Sequence, residues 1–231
     1  MPGVRLIMSV GVCAAMAAAG ASVHAATNPY TEEFPTNAAN WADGASQALT
    51  WNAAGGMFGS HVRAPANFQA ITTANETLTV FRAHDDFGSS GNNFFGNYLA
   101  DGVTQFSAWI HHDLPESTTA WGRFALPGNF PAGFLDNAVV VPPNTWTEII
   151  FDVTPGNTNW ELESFPNGPT IPAILSNVGK IQLGVRTPSS LTGVDQEFNI
   201  LLDRVSIVPE PTTGALAMLA GLGVVTRRKR S

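Results

Sequence analysis

The stretch "FNILLDRVSIV", Phe198–Val208, decides the fold. Phe198, Ile200 and Leu202 fall on one parity of the chain, whereas Val205 and Ile207 fall on the other. Successive side chains of a strand point to opposite faces, so this pattern reads as one long strand whose register slips at Asp203-Arg204, where a bulge or bend re-aims the side chains. Working outward, the same period of two recurs in Thr77–Phe81 and in Thr147, Ile149, Phe151 and Val153. Further candidate strands are Leu49–Asn52, Val103–Ile110, Gly122–Leu126 and Lys180–Arg186. Gly, Pro and Asn clusters separate them: 52–56, 88–93, 126–129, 154–157 and 166–169. A short helix is expected at Ala173–Val178. Many short strands without a long amphipathic helix argue for an all-β, antiparallel β-sandwich.

Composition agrees. Of 231 residues 13% are charged and 10% aromatic, with 22 Gly and 16 Pro, which suits a turn-rich β protein. The central part holds all but one of the 18 acidic residues but only six of the 11 basic ones, a net charge of −11. Such a body repels nucleic acid and anionic bilayers, so neither is expected as a partner. The single cysteine, Cys13, rules out a disulfide framework, a thiolate metal cluster or a catalytic thiol in the body.

The two ends read as addresses. Arg5 precedes an apolar run to about Gly20, and Ala21-Ser22-Val23-His24-Ala25 offers the small residues a signal peptidase reads. Residues 1–25 are therefore a candidate signal peptide, forming a signal helix, with an uncleaved anchor as the alternative. At the other end Pro209 and Pro211 bracket Glu210 and hold the chain extended. Twelve uncharged residues, 214–225, suggest a short hydrophobic helix, brief for a bilayer span. Arg227, Arg228, Lys229 and Arg230 follow as a cytoplasmic stop signal.

That order of elements in residues 208–231 resembles the PEP-CTERM sorting signal. The resemblance implies transient insertion in the inner membrane, recognition of Pro209-Glu210-Pro211 by an exosortase-type membrane protease, and release of an exported protein to the cell surface or exopolysaccharide matrix. An ordinary anchor that is never cut is the alternative. Between the ends, residues 26–207 form one domain. Glu33-Phe34 followed by Trp41, the strand from Trp146 to Asp152, "IPAILSNVGKIQLGVR" and the terminal strand resemble the jelly-roll carbohydrate-binding-like and galactose-binding-like β-sandwiches. In that family an acidic residue at the last strand, with one near the first, often holds a structural calcium. Carried over, the candidates are Asp203 and Glu33, with Glu32 beside it; calcium takes six to eight oxygen ligands, which backbone carbonyls can complete. Asp203 paired with Arg204 or Arg186, or simply solvated, is the alternative.

Other constellations carry less chemistry. His84-Asp85-Asp86 and His111-His112-Asp113 contain metal-ligand types, but neighbours on a strand diverge, so convergence needs a loop. The segment from Asp85 to Asn97 reads as an Asp, Asn and Ser-rich loop, either calcium-binding or plain. Glu161 and Glu163, two apart, could be the carboxyl pair of a glycosidase if in a strand, yet the flanking Asn157 turn and Pro166 suggest an exposed loop. Gly59-Ser60-His61 lacks the elbow of a serine hydrolase, and neither a P-loop nor a dinucleotide fingerprint is present. Among the tryptophans, Trp109 and Trp146 are expected in the core. Trp51, Trp121 and Trp160 adjoin turns and are the candidates for stacking on a sugar ring. The reading is an exported, non-catalytic structural or glycan-binding module; an extracellular glycosidase or lyase is the alternative.

Overall fold

The computed structural model describes residues 25 to 209. Residues 1–24 and the sorting segment from Glu210 onward, including Pro211 and the Arg227–Arg230 cluster, lie outside the described residues. So do the terminal helices expected there. Among the described residues no helix is long and apolar enough to cross a membrane.

Two six-stranded antiparallel sheets pack as a sandwich. The first sheet runs β3 (Thr50–Asn52), β4 (His61–Asn67), β12 (Glu197–Pro209), β6 (Val103–His112) and β9 (Thr147–Asp152), with β1 (Tyr30–Glu32) paired to the far end of β12. The second runs β10 (Trp160–Glu163), β8 (Ala132–Val141), β7 (Thr118–Ala125), β11 (Lys180–Arg186), β5 (Thr77–His84) and β2 (Ala42–Asp43). The expected strands at Lys180–Arg186, Val103–Ile110 and Thr147–Val153 are present within a few residues. The β7 strand begins earlier than expected, at Thr118, and the short helix α1 spans Ile171–Leu175 rather than 173–178.

The slip read from the sequence is there. Asp203 pairs with Trp109 and Ser206 with Ser107, so β12 carries one residue more than β6 between these pairs. Arg204 absorbs it with φ 44°, a left-handed conformation rare for a residue with a side chain. This bulge keeps both Leu202 and Val205 buried.

The interior is built by the alternating apolar positions. Phe106, Phe124 and Phe151 meet at its centre, with ring centroids 5.3 to 6.4 Å apart, and so tie β6 and β9 of one sheet to β7 of the other. Gly122 makes room for them, since a Cβ there would lie 3.2 Å from the Phe151 ring. The segment after β5 is not a plain loop. Two 3-10 turns, Asp85–Phe87 and Ser89–Asn92, lead into Phe94, Phe95 and Tyr98, which are buried and plug one end of the sandwich. The Tyr98 hydroxyl donates to Phe94 O at 2.9 Å, and burial pushes its pKa up.

Trp109 and Trp146 are not core residues. Trp109 shares its parity with Gln105 and Ser107, on the outer face of the first sheet, where its ring meets the exposed Phe58 at 5.5 Å. Trp146 is half-buried against the rings of His61 and His111.

The four histidines of the described residues, His61, His84, His111 and His112, are all held below the ordinary imidazole range, burial being the first cause in each. His84 is lowered to about 4, because Lys180 adds its charge to the burial. Native imidazoles thus stay neutral while those of the unfolded chain take up protons below about pH 6.5. Their stability contribution is whole above that pH and is lost as pH falls through their lowered values, about 4 for His84. For His84 alone the loss is on the order of 3 kcal/mol. We expect the melting temperature to drop between pH 7 and pH 4.5; a flat profile across that interval contradicts the assignment.

Candidate functional site

The outer face of the second sheet gathers polar side chains that the sequence scatters over more than a hundred residues. Register sets them in rows. Arg82 pairs with Gln182, Gln182 with Arg123, Arg123 with Phe134 and Phe134 with Glu161. Two residues along, His84 lies beside Lys180; two residues the other way lies Trp121 beside Asp136. Farther along β11 stands Arg186. Four of the six cations of the body therefore occupy one face of an otherwise acidic domain.

These outward-facing groups are nevertheless sunk below the surface. Lys180 and Gln182 are each only 6% exposed, because loops rise around them. The turn at 126–129 lies over the floor. Arg123 donates through Nη1 to Asn129 Oδ1 at 3.0 Å and through Nη2 to Asn129 O at 2.8 Å, and the Gln182 amide donates to the same Oδ1 at 3.1 Å. Opposite it, Asp85 and Asp86 hold the Lys180 ammonium, Asp85 at 3.7 Å and Asp86 by a short contact. The hydrogen bond from Asp85, and next to it the Lys180 bond, hold the Asp86 carboxyl well below the usual carboxylate range, while burial pushes Asp85 up. Arg186 pairs with Asp136 at 2.7 Å and lies over the Phe134 ring at 5.4 Å. Among the described residues Arg82, unlike the other three, has no carboxylate partner; it reaches Ser46 Oγ at 3.3 Å.

Among the described residues three buried polar atoms on this face lack a protein partner: Arg82 Nε, His84 Nε2 and Asp136 Oδ1. A buried polar atom without a partner costs about 1–3 kcal/mol, which a ligand or water that bonds it recovers. Around the rim stand exposed phenyl rings. Phe87 stacks on His84 at 4.4 Å, and Phe130, 42% exposed, meets Phe165, 64% exposed, edge to face at 4.8 Å. A floor of amide, guanidinium and ammonium donors between apolar rings matches the amphipathic character of a sugar, whose hydroxyls need hydrogen bonds and whose C–H faces need apolar contact.

The sequence-predicted residues fare unequally. Trp121 belongs to this face but is 2% exposed. Its ring lies against Gly184, its Nε1 donates to Val185 O at 3.2 Å and Phe134 covers it, so it is floor and no stacking platform. Trp160 turns inward, packing on Gly133 and Phe124 while Nε1 donates to Thr154 O at 2.9 Å. Trp51 sits at the other sheet, half-buried, with Nε1 donating to Phe34 O at 2.7 Å. The rim phenylalanines were missed. Each adjoins a turn in the sequence, which is the signal that singled out the tryptophans.

Glu161 and Glu163 are not in a loop. They lie on the edge strand β10, where Glu163 pairs with Arg123 at 2.6 Å and Glu161 stays exposed. The proposed calcium carboxylates take separate partners. Asp203 is fully buried and its Oδ2 accepts the Phe58 N–H at 2.9 Å, whereas Glu33 is exposed and lies 3.7 Å from Arg204 Nε. Glu32 has both oxygens engaged, by the Tyr30 hydroxyl at 3.1 Å and the Phe34 N–H at 2.8 Å. Among the described residues no three His, Cys, Asp or Glu side chains converge as a metal set, while Asp203 Oδ1 is buried without a protein hydrogen bond.

No protein-family model matches the chain, and no curated protein matches it either. Solved structures of similar shape are β-sandwich modules. The chain is similar to the family 11 carbohydrate-binding module from Clostridium thermocellum in complex with a beta-1,3-1,4-mixed-linked tetrasaccharide, at 10% identity and TM-score 0.46, covering 80% of this chain and 98% of that one. It is also similar to the CBM22-1 xylan-binding domain from Paenibacillus barcinonensis, at 12% identity and TM-score 0.43, covering 80% and 97%. A third is the CBM22-1-GH10 portion of a Clostridium thermocellum xylanase complexed with xylohexaose, at 15% identity and TM-score 0.45; here the chain spans only 28% of that protein's length. At such identities the likeness concerns the sandwich fold alone.

Proposed function

We infer that the protein is an exported, non-catalytic glycan-binding module that seats a polysaccharide chain in the groove of the second sheet. The observation that carries this is the convergence of Arg82, Arg123, Lys180, Gln182 and Asn129 on one sunken face rimmed by exposed Phe87, Phe130 and Phe165. Sugar hydroxyls take the place of water on the unpartnered Arg82 and His84 nitrogens and on Asp136 Oδ1, and the phenyl rings cover the C–H faces. Carbohydrate ligands named for the similar modules, xylan and mixed-linked glucan, belong to the same chemical class. The two ends of the chain support delivery to the outside: the apolar leader of residues 1–25, and the sorting segment with Pro209, Glu210, Pro211 and its arginine cluster, read by an exosortase-type protease before release to the surface or matrix.

Electrophoresis of the purified protein in native gels cast with xylan, mixed-linked β-glucan, agarose or xanthan tests the binding half. Retardation in at least one gel is expected, and unchanged mobility in all of them overturns it. The same incubations should release no reducing ends, with wild type or with Glu161→Gln and Glu163→Gln. Turnover that both substitutions abolish would make this edge pair a glycosidase site instead. Mass spectrometry of the surface-exposed protein should show a chain lacking the Arg227–Arg230 cluster.

A further inference from the structure

The geometry points to a second glycan-binding groove on the opposite face of the sandwich, so that one molecule bridges two polysaccharide chains. This rests on the reading of the first groove as a glycan site. On the outer face of the first sheet a depression of about 430 Å³ runs across β1, β12, β6 and β9. Its floor follows the register: Thr31 pairs with Ser206, Ser206 with Ser107, and Trp109 with Glu148. Four adjacent strands at about 4.8 Å spacing give it a length of roughly 14 Å, which fits an extended oligosaccharide.

Its chemistry suits an uncharged polyol. The wall is aromatic: Phe58, 47% exposed, stands edge to face on Trp109 at 5.5 Å. Arg204 Cζ lies 4.2 Å over the Phe58 ring and so holds the ring upright. Backbone holds it too, because Asp203 Oδ2 anchors the Phe58 N–H from beneath. Gly56 must stay small for that loop to close, since a Cβ would lie 2.6 Å from the Asp203 carboxylate. Against this wall the Gln105 amide, the Ser107 hydroxyl and the Glu148 carboxylate have no hydrogen-bond partner among the described residues, whereas Thr31 and Ser206 bond each other at 2.9 Å. One cation, one carboxylate and several neutral donors leave no net field for a charged partner. An aromatic wall facing free neutral hydrogen-bonding groups selects a neutral sugar chain.

The test is calorimetric titration of the full protein with hexasaccharides prepared from whichever of the four polysaccharides retards it. Two sugars bound per protein are expected, and in Phe58→Ala and in Gln105→Ala the number should fall to one. Both side chains lie at the surface, so an unchanged melting temperature serves as the folding control. In addition the wild type, but not Phe58→Ala, should raise the viscosity of the dissolved polysaccharide by cross-linking it. One sugar per protein, insensitive to both substitutions, overturns the second groove and leaves the first standing. Absence of retardation by every polysaccharide overturns both. Binding lost in Phe58→Ala but intact in Arg123→Ala overturns the first alone.

Discussion

Gly184→Ala should lower the melting temperature by roughly 6–12 °C, the largest stability loss expected from any single methyl group in this protein. A Cβ at position 184 would lie 2.1 Å from Leu78 O and 2.4 Å from the Trp121 ring. The first contact is with backbone across the β11–β5 pair, at the place where that pair already slips register between Leu183 and Gly184. The second is with a ring fixed on its other side by Phe134 at 5.2 Å. Neither can yield cheaply, so an overpacking cost of about 3 kcal/mol applies, at 2–4 °C per kcal/mol for a domain of this size. Because Trp121 forms part of the groove floor, the change should weaken sugar binding as well. Thermal unfolding followed by tryptophan fluorescence reads the first effect. A shift of less than about 2 °C would mean that strand β11 does not approach β5 as described.

Arg123→Ala should weaken polysaccharide binding on the order of 100-fold while costing little stability. The guanidinium is the hub of the groove, bonded to Glu163 Oε2 at 2.6 Å and twice to Asn129. Through Asn129 it fixes the turn that presents Phe130 to the rim. Removing it deletes charge-assisted donors worth about 1.5–3 kcal/mol each when a sugar displaces water from them, and 2.7 kcal/mol corresponds to about 100-fold. The ion pair itself contributes little to folding, since Glu163 is 43% exposed. Arg123→Lys should not rescue, because a single ammonium cannot hold both Glu163 and the two oxygens of Asn129. Affinity electrophoresis with a graded polysaccharide content gives the ratio of dissociation constants. A change of less than about threefold would place the ligand elsewhere.

The sandwich was legible wherever apolar and polar residues alternate along a strand. Alternation marked β5, β6, β9, β11 and β12, and the broken parity at Asp203 marked the bulge. Two strands left no signal, one for want of burial and one because of a proline. Glu161, Leu162 and Glu163 of β10 are all exposed, and β4 carries Pro65 in its middle. That proline is tolerated because β3 pairs only as far as Arg63, so no partner strand on that side asks for its missing N–H. The placement of Trp109 was readable and overlooked. It shares the parity of Gln105 and Ser107, against Phe106, Ala108 and Ile110, so the polar face was its place. The groove was not readable. Arg82, Arg123, Lys180 and Arg186 become neighbours only through the order β8-β7-β11-β5, and no local pattern encodes that order.

Nuclear magnetic resonance of the protein titrated with the retained hexasaccharide tests the central claim most directly, through the Arg123 Nε–H and the side-chain amides of Gln182 and Asn129. The account predicts saturable shifts of all three at one affinity, lost in Arg123→Ala, with no sugar cleaved during the titration. Retention of the polysaccharide with these three signals unmoved would contradict it.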